Sequence, residues 1–338
     1  MEYLLPLGIL DGIIDNDITK IGQEIYGLRV YDYPSAKPLL KEAGVIIAHL
    51  SYEESEMVLE RDNISFYRLG DFITAWFREK HRQNAIGFLD FIITTKCTLN
   101  CKDCMQYIPW RTQNNISAAV LTGDLKALFS QVSFVGEMSI IGGEPFMHTK
   151  LEELLKYIGS DFRQKIGSIV ITTNGTITPK PSLLEQCRKA GAGISISDYT
   201  GTVPPVVYEE QVAELEAAAK KAGVNARRKG WSWLKPGRFD AEEGSEFIAC
   251  GQSHMQLYRG RLWRCTLMAG GYAAGFCKAR EVHDYYKLHR GNSELMRRFL
   301  CHRELLREHI GDAMATQTSQ CGACWFPKKI SVPSAVQE

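Results

Sequence analysis

From Gly87 onward the chain alternates short apolar runs with amphipathic stretches, and this rhythm constrains the fold more than any other feature. Strands are expected over residues 88–95, 138–141, 168–173, 193–198 and 223–228, and helices over 117–130, 149–160, 181–190 and 208–222. Repeated βα units imply a parallel sheet or barrel, because each crossover must pack back onto the sheet. Runs such as Phe91-Ile92-Ile93 and Ile169-Val170-Ile171 read as strands apolar on both faces, as strands covered by helices should be. After Gly230 the rhythm breaks. Residues 256–262 read as a hairpin turning at Arg259-Gly260, and a basic helix is expected from Ser293 to Ile310.

The chain has 338 residues, enough for two domains or one large domain with an appendage. We divide it into an α/β appendage (1–86), a βα core (87–230) and a cysteine-bearing extension (231–338). Within the appendage, Val45–His49 reads as a strand, Tyr52–Glu60 as a helix and Ile64–Leu69 as a second strand. It has no glycine-rich phosphate fingerprint, so it reads as a docking or dimerisation piece. Forty basic side chains against thirty-nine acidic ones leave no basic footprint for nucleic acid or a membrane surface, so small molecules or peptides are the expected partners. No apolar run approaches the roughly 18 residues needed to cross a bilayer, and Met1–Gly12 lacks signal-peptide features. The expected compartment is the cytoplasm, where the ten cysteines read as metal ligands or catalysts before disulfides.

Cys97, Cys101 and Cys104 stand as CTLNCKDC directly after the first strand of the series. Three thiolates on one short loop can hold three corners of an iron-sulfur cube and leave one iron open for a ligand. Structural zinc is the alternative, but it asks for four ligands and no fourth cysteine or histidine lies nearby. Further motifs follow the later strands: Gly142-Gly143-Glu144-Pro145, Thr173-Asn174-Gly175 and Ser195-Ile196-Ser197-Asp198. All sit at C-terminal strand ends, where parallel α/β sheets and barrels bind their ligands.

With these motifs, residues 88–230 resemble the radical S-adenosylmethionine (radical SAM) superfamily. The resemblance implies a partial (β/α)6-type barrel in an α/β fold. It also implies that a 4Fe-4S cluster on Cys97, Cys101 and Cys104 binds the methionine amine and carboxylate of SAM. Glu144, with the backbone of Gly142 and Gly143, would hold the ammonium, and Thr173, Asn174, Ser195 and Ser197 are candidates for ribose and carboxylate contacts. Caps and turns account equally well for those Thr, Asn and Ser residues. Asp103 stands where many members carry an aromatic against adenine, which leaves Met105 and Tyr107 as substitutes. A reducing flavodoxin or ferredoxin would supply electrons.

A second set of cysteines follows. Cys250, nine residues, Gly260, four residues and Cys265 match the opening of the SPASM and twitch extensions of radical SAM enzymes, with Cys321 and Cys324 downstream. The resemblance implies the shorter twitch form, with one auxiliary 4Fe-4S cluster on Cys250, Cys265, Cys321 and Cys324. A structural zinc on the same four thiolates is the alternative. Cys187 and Cys301 read as buried small hydrophobes. Cys277 reads as a structural thiol, an alternate ligand or a hydrogen-atom donor.

Arg227, Arg228 and Lys229 precede Trp231 and Trp233 at the end of the fifth strand. An arginine there suits a substrate hydroxyl, carboxylate or phosphate, and a solvated strand end is the plainer reading. His254 is a candidate base or an ordinary histidine. The arginines and glutamates of the basic helix read as paired surface charges. Twitch relatives include dehydrogenases and epimerases of aminoglycoside-type sugars, and SPASM relatives include peptide modifiers. The expectation is oxidation of a hydroxyl on a carbohydrate or aminocyclitol. The alternatives are epimerisation through Cys277, peptide modification, or a non-enzymatic iron-sulfur carrier or sensor.

Overall fold

The computed structural model describes residues 2–48, 52–201, 203–230, 254–282 and 284–300. The chain divides into two compact units, Met1–His81 and Arg82–Glu338.

In the first unit, β1 (Ile13–Ile14), β2 (Glu24–Ile25) and β3 (Leu28–Tyr31) form a small sheet in the order β1-β3-β2. The short helix α1 (Tyr33–Ala36) follows, capped by the Asp32 side chain. Strands β4 (Val45–Ile47) and β5 (Phe66–Arg68) pair in parallel around α2 (Tyr52–Arg61), the strand, helix, strand unit expected from the sequence. The Arg68 guanidinium holds both oxygens of Glu56, at 2.6 and 2.8 Å, which ties β5 to α2. Helix α3 (Leu69–His81), which the sequence reading does not anticipate, closes the unit.

The second unit carries the βα series: β6 (Ala85–Thr94), α4 (Ala118–Phe129), β7 (Phe134–Gly142), α5 (Leu151–Asp161), β8 (Ile166–Thr173), α6 (Pro181–Ala190), β9 (Ala192–Ser197), α7 (Pro205–Lys221) and β10 (Ala226–Lys229). Then come β11 (Met255–Tyr258), β12 (Arg261–Trp263), α8 (Thr266–Ala273) and β13 (Tyr285–Lys287). Residues 293–300 are helical, and the rest of the expected basic helix lies outside the described residues. The eight strands form one sheet in the order β10-β9-β8-β7-β6-β11-β12-β13. Strands β6 to β10 are mutually parallel. The sixth parallel strand, β11, lies on the other side of β6, pairing Met255 with Leu89 and Leu257 with Phe91.

The helices cover one face of the sheet. Leu121, Leu125 and Leu128 of α4, Leu154, Leu155 and Ile158 of α5, Leu184 and Cys187 of α6, and Val212 and Leu215 of α7 are buried in a single core. They pack with Leu89, Phe91, Met138, Ile140, Ile169, Ile171, Ile194 and Ile196 of the strands. Each fully buried aliphatic side chain of this kind contributes about 1.5–3 kcal/mol. Cys187, fully buried, is the small hydrophobe expected of it.

The opposite face departs from the expectation of strands apolar on both sides. Along β7, β8 and β9 every second residue stays half-buried: Glu137, Ser139 and Ile141, then Ser168, Val170 and Thr172, then Gly193, Ser195 and Ser197. The physical reason is that no helix among the described residues packs there, so these strands alternate as one-sided strands do. The sheet also curls. Lys229 of β10 feels the charges of Glu137 on β7 and Asp90 on β6, three and four strands away. Laid flat, at about 4.8 Å per strand, those strands stand about 14–19 Å apart. The curled, half-open interior is the space that a partial barrel encloses.

Candidate functional site

The loop of Cys97, Cys101 and Cys104 rises from the C-terminal end of β6, and two chain segments fix it there. Gly143 N–H donates to Thr94 O at 3.0 Å, and Glu144 N–H donates to Lys96 O at 2.7 Å. This approach requires glycine. A Cβ on Gly142 would lie 2.1 Å from Thr94 O, and one on Gly143 would lie 2.2 Å from Lys96 O and 2.9 Å from Cys97 Cβ. The Gly142-Gly143 pair is therefore a steric requirement of the cysteine loop, a role the sequence motif alone does not reveal.

Glu144 is fully buried. Its Oε1 accepts from Phe146 N–H at 3.0 Å, and its Oε2 accepts from the Thr173 hydroxyl at 2.9 Å and from Asn174 N–H at 2.8 Å. The carboxylate thus joins the end of β7 to the end of β8. Burial raises its pKa to about 7, opposed by those three hydrogen bonds. Asn174 carries the chain of contacts onward: its Nδ2 donates to Thr98 Oγ1 at 2.9 Å and to Cys97 Sγ at 3.7 Å. Leu99 N–H also points at Cys97 Sγ, at 3.5 Å. Hydrogen bonds to ligand sulfur are among the means by which proteins tune iron-sulfur clusters.

Cys101 is buried, and Cys97 and Cys104 are half-buried. Burial first, then the charges of Glu144, Cys104 and Cys101, push the Cys97 thiol up to about 12. The Cys104 thiol is raised mainly by burial. Binding to iron reverses this, since a coordinating thiol is deprotonated outright. Among the described residues no three His, Cys, Asp or Glu side chains crowd around one point as the ligands of a single ion do. A cubane asks for a different spacing, with each thiolate on its own iron at a separate corner. The donor set, the glycine cradle and the N–H groups directed at Cys97 fit such a cluster.

Tyr107, a sequence candidate against adenine, is fully buried and packs on Trp110 and Phe276, which removes it from ligand contact. Met105 is half-buried. Tyr199, directly after the fourth motif, lies within electrostatic reach of all three cysteines and Glu144, and burial holds its pKa well above the usual value. Its place at the end of β9 is the one sequence signal that marks it. Ser195 and Ser197 are half-buried on the inner face of β9.

Arg227 is exposed, with Nε donating to Asn225 Oδ1 at 3.3 Å, and it lies beside Ser195 in the ladder. Arg228 is taken up by Glu209 and Glu216 of α7, the solvated strand end of the plainer reading. His254 is no lone histidine. Its Nδ1 lies 3.4 Å from Asp90 Oδ1, and its ring stacks on Phe88 at 5.1 Å with an interplanar angle of 12°. Burial opposes the imidazolium, but Asp90, with Glu137 behind it, outweighs burial and raises the pKa.

In the extension, the hairpin of β11 and β12 turns at Arg259 and Gly260, both with positive φ, as the sequence indicates. Gly260 N–H donates to the buried carboxylate of Asp124 on α4 at 2.9 Å. Cys265 stands at the N-terminus of α8, half-buried. Its expected co-ligands Cys250, Cys321 and Cys324 lie outside the described residues, as do Cys301, Trp231 and Trp233. Cys277 packs beside Trp263, Met268 and Tyr285, with Sγ 3.7 Å from Met268 Sδ. Burial, then the charge of Asp284, pushes its thiol up to about 12.

Residues 91–201, from β6 through the loop after β9, match the Radical SAM superfamily. They contain the cysteine loop and the motifs at the ends of β7, β8 and β9, and they form a radical SAM domain. Two curated relatives are described as probable GTP 3',8-cyclases from strains of Methanococcus maripaludis. One is 30% identical over 133 residues, the other 28% over 135, each covering 39% of this chain and 42% of the relative. The chain therefore matches less than half the length of these relatives. Among solved structures, BtrN in complex with AdoMet and 2-DOIA aligns over 76% of this chain and 98% of its own, at 14% identity and a TM-score of 0.49. Streptococcus suis SuiB bound to S-adenosylmethionine aligns over 53% and 44%, at 20% identity and a TM-score of 0.35. No helix among the described residues is long and apolar enough to cross a membrane.

Proposed function

We propose that this protein is a radical SAM enzyme that abstracts a hydrogen atom from a carbohydrate or aminocyclitol-type substrate and oxidises one of its hydroxyl groups. The carrying observation is that the sequentially distant segments 94–98, 142–146 and 173–176 meet in one hydrogen-bonded constellation around Cys97. Cys97, Cys101 and Cys104 would hold a 4Fe-4S cluster with one open iron. When bound, that cluster supplies the electron that splits SAM into methionine and a 5'-deoxyadenosyl radical.

Glu144 acts in this reading as a brace that fixes Thr173 and Asn174 against the cysteine loop, because its oxygens already have three protein donors. The SAM ammonium is then left to backbone carbonyls of the Gly142-Gly143 segment. His254, with Nδ1 held by Asp90, is the base assigned to the hydroxyl proton. The remaining electron needs an acceptor, the role assigned to a second 4Fe-4S cluster on Cys250, Cys265, Cys321 and Cys324. Epimerisation through Cys277 is the second reading: burial keeps its thiol protonated, the form that gives a hydrogen atom, but the thiol packs in the separate cluster of Trp263, Met268 and Tyr285. The curated relatives align over 133 and 135 residues, 42% of their own length, so the nucleotide chemistry named for them does not carry over.

The test is anaerobic reconstitution followed by incubation with SAM and dithionite. About eight irons per chain are expected from the two cluster sites, together with release of 5'-deoxyadenosine. Replacing Cys97, Cys101 and Cys104 by Ala should halve the iron and abolish the release. Persistent 5'-deoxyadenosine formation in that triple variant would refute the assignment.

A further inference from the structure

The inner face of the curled sheet carries a group of charges that the cysteine loop does not use. At its floor stand Asp90 on β6, Glu137 on β7, register partner of Phe88, and His254 just before β11, and Lys229 of β10 lies within electrostatic reach of the two carboxylates. Lys229 and His254 both feel the two carboxylates, so the four form one electrostatic group. Each carboxylate makes a long contact. Asp90 and His254 meet at 3.4 Å, and Ser168 Oγ reaches Glu137 Oε2 at 3.4 Å, where a good charge-assisted bond is about 2.8 Å. Beside Asp90 in the ladder, Ser139 touches Thr172 through their hydroxyls at 3.1 Å, both half-buried.

Gathering ionisable groups in a half-buried interior costs desolvation energy, and an apolar filling would be the more stable one. The arrangement is therefore poor as a core. It is good as a receptor, because a carboxylate has about four acceptor positions and each of these holds a long contact in the described structure. The chemistry of the walls selects the occupant. Two carboxylates face two bases, so a further net charge on the ligand gains little. Apolar side chains on the half-buried inner positions of β7 to β9 are confined to Ile141 and Val170, too few to receive peptide side chains. A ring bearing several hydroxyls offers donors to Asp90 and Glu137 and an acceptor to His254 at once, with Lys229 adding positive charge nearby. The depth fits as well: four residues of strand separate Asp90 from Thr94, about 13 Å at 3.3 Å per residue.

We infer that Asp90, Glu137, Lys229 and His254, with Ser139 and Thr172, form a binding site for an uncharged, polyhydroxylated ring of the sugar or cyclitol class. This rests on the radical SAM reading, in which the site holds the substrate beneath the cysteine loop.

The experiment is saturation-transfer NMR on the reconstituted full chain with SAM. The probes are myo-inositol, D-glucose, N-acetyl-D-glucosamine and, as the contrasting class, a tetra-alanine peptide. At least one polyol should give a signal. Asp90→Asn and Glu137→Gln should each weaken its affinity at least about tenfold, one charge-assisted hydrogen bond's worth. Thr172→Val, a substitution of similar size, should weaken it less. Iron content should stay at the parent value as the check on folding. Silence from all three polyols, a signal from the peptide alone, or full polyol affinity in both carboxylate variants would each overturn the site. Release of 5'-deoxyadenosine without a polyol signal removes this inference and leaves the proposed function standing. A polyol signal without SAM cleavage does the reverse.

Discussion

The rim and the floor of the same curled sheet are built in opposite ways. At the rim, each polar group of Glu144, Thr173 and Asn174 meets a protein partner at 2.7–3.1 Å, and the backbone of Gly142 and Gly143 presses directly on residues 94–97. At the floor, Asp90 meets His254 and Glu137 meets the Ser168 hydroxyl at 3.4 Å, and Glu137 and His254 are only half-buried. The difference separates a region whose geometry is complete from one whose polar groups have capacity left for a ligand. Substitutions at the rim should therefore cost stability, whereas those at the floor should cost binding.

The largest effect should come from Gly143→Ala. Its Cβ would meet the fixed carbonyl of Lys96 at 2.2 Å, so we expect a loss of about 4 kcal/mol and failure to take up iron, read by denaturant unfolding and iron analysis. A stable, iron-loaded Gly143→Ala protein would show that the loop is held some other way. Next is Glu144→Ala, which strips three donors of their acceptor and should cost about 3 kcal/mol in the unfolding free energy of the apoprotein. A loss confined to SAM affinity, with stability intact, would return Glu144 to the role of ammonium ligand.

The pH dependence sharpens the same point. Because burial raises Glu144 from an ordinary 4.5 to about 7, the folded state binds its proton more tightly than the unfolded state. Its contribution to stability is thus fully present below about 4.5 and is lost as pH rises through 7. The difference in unfolding free energy between wild type and Glu144→Gln should shrink over that window, and a constant difference would speak against the buried, titrating carboxyl. The smallest effect belongs to the floor. Asp90→Asn breaks a long, partly exposed contact and should change stability by less than about 1 kcal/mol. A larger loss would make the floor a structural core after all.

Local signals made much of the fold legible. Pro181 at the first turn and Gly191 with φ of 66° bound α6 where the sequence places it. The Arg259-Gly260 turn likewise announces its hairpin. Strand β7 starts at Phe134, four residues before its sequence signal, because Gly136 and Glu137 are poor strand formers that pairing with β6 carries along. Helix α7 starts at Pro205, since the β-branched Val206 and Val207 disguise a proline-led first turn. The cysteine loop and the strand-end motifs were visible as words, but not the contacts between them. That Glu144 spends its oxygens on residues 29 and 30 positions away depends on tertiary closure. The Asp90–His254 pair spans 164 residues and leaves no local trace at all. The half-open inner face was also hidden, because Ile169-Val170-Ile171 has the same composition whether or not a helix covers Val170.

Strand β11 bears on how the cysteine-bearing extension can behave mechanically. It does not hang from the end of the βα series on a tether. It shares a backbone ladder with β6, the strand that delivers the cysteine loop, over Leu89–Phe91, and the Gly260 turn is tied to α4 through Asp124. A shift of the hairpin along its axis would break that ladder or drag β6 with it. The amides of β11 should accordingly exchange with solvent as slowly as those of β6, marking the hairpin as part of the wall and not a hinged lid.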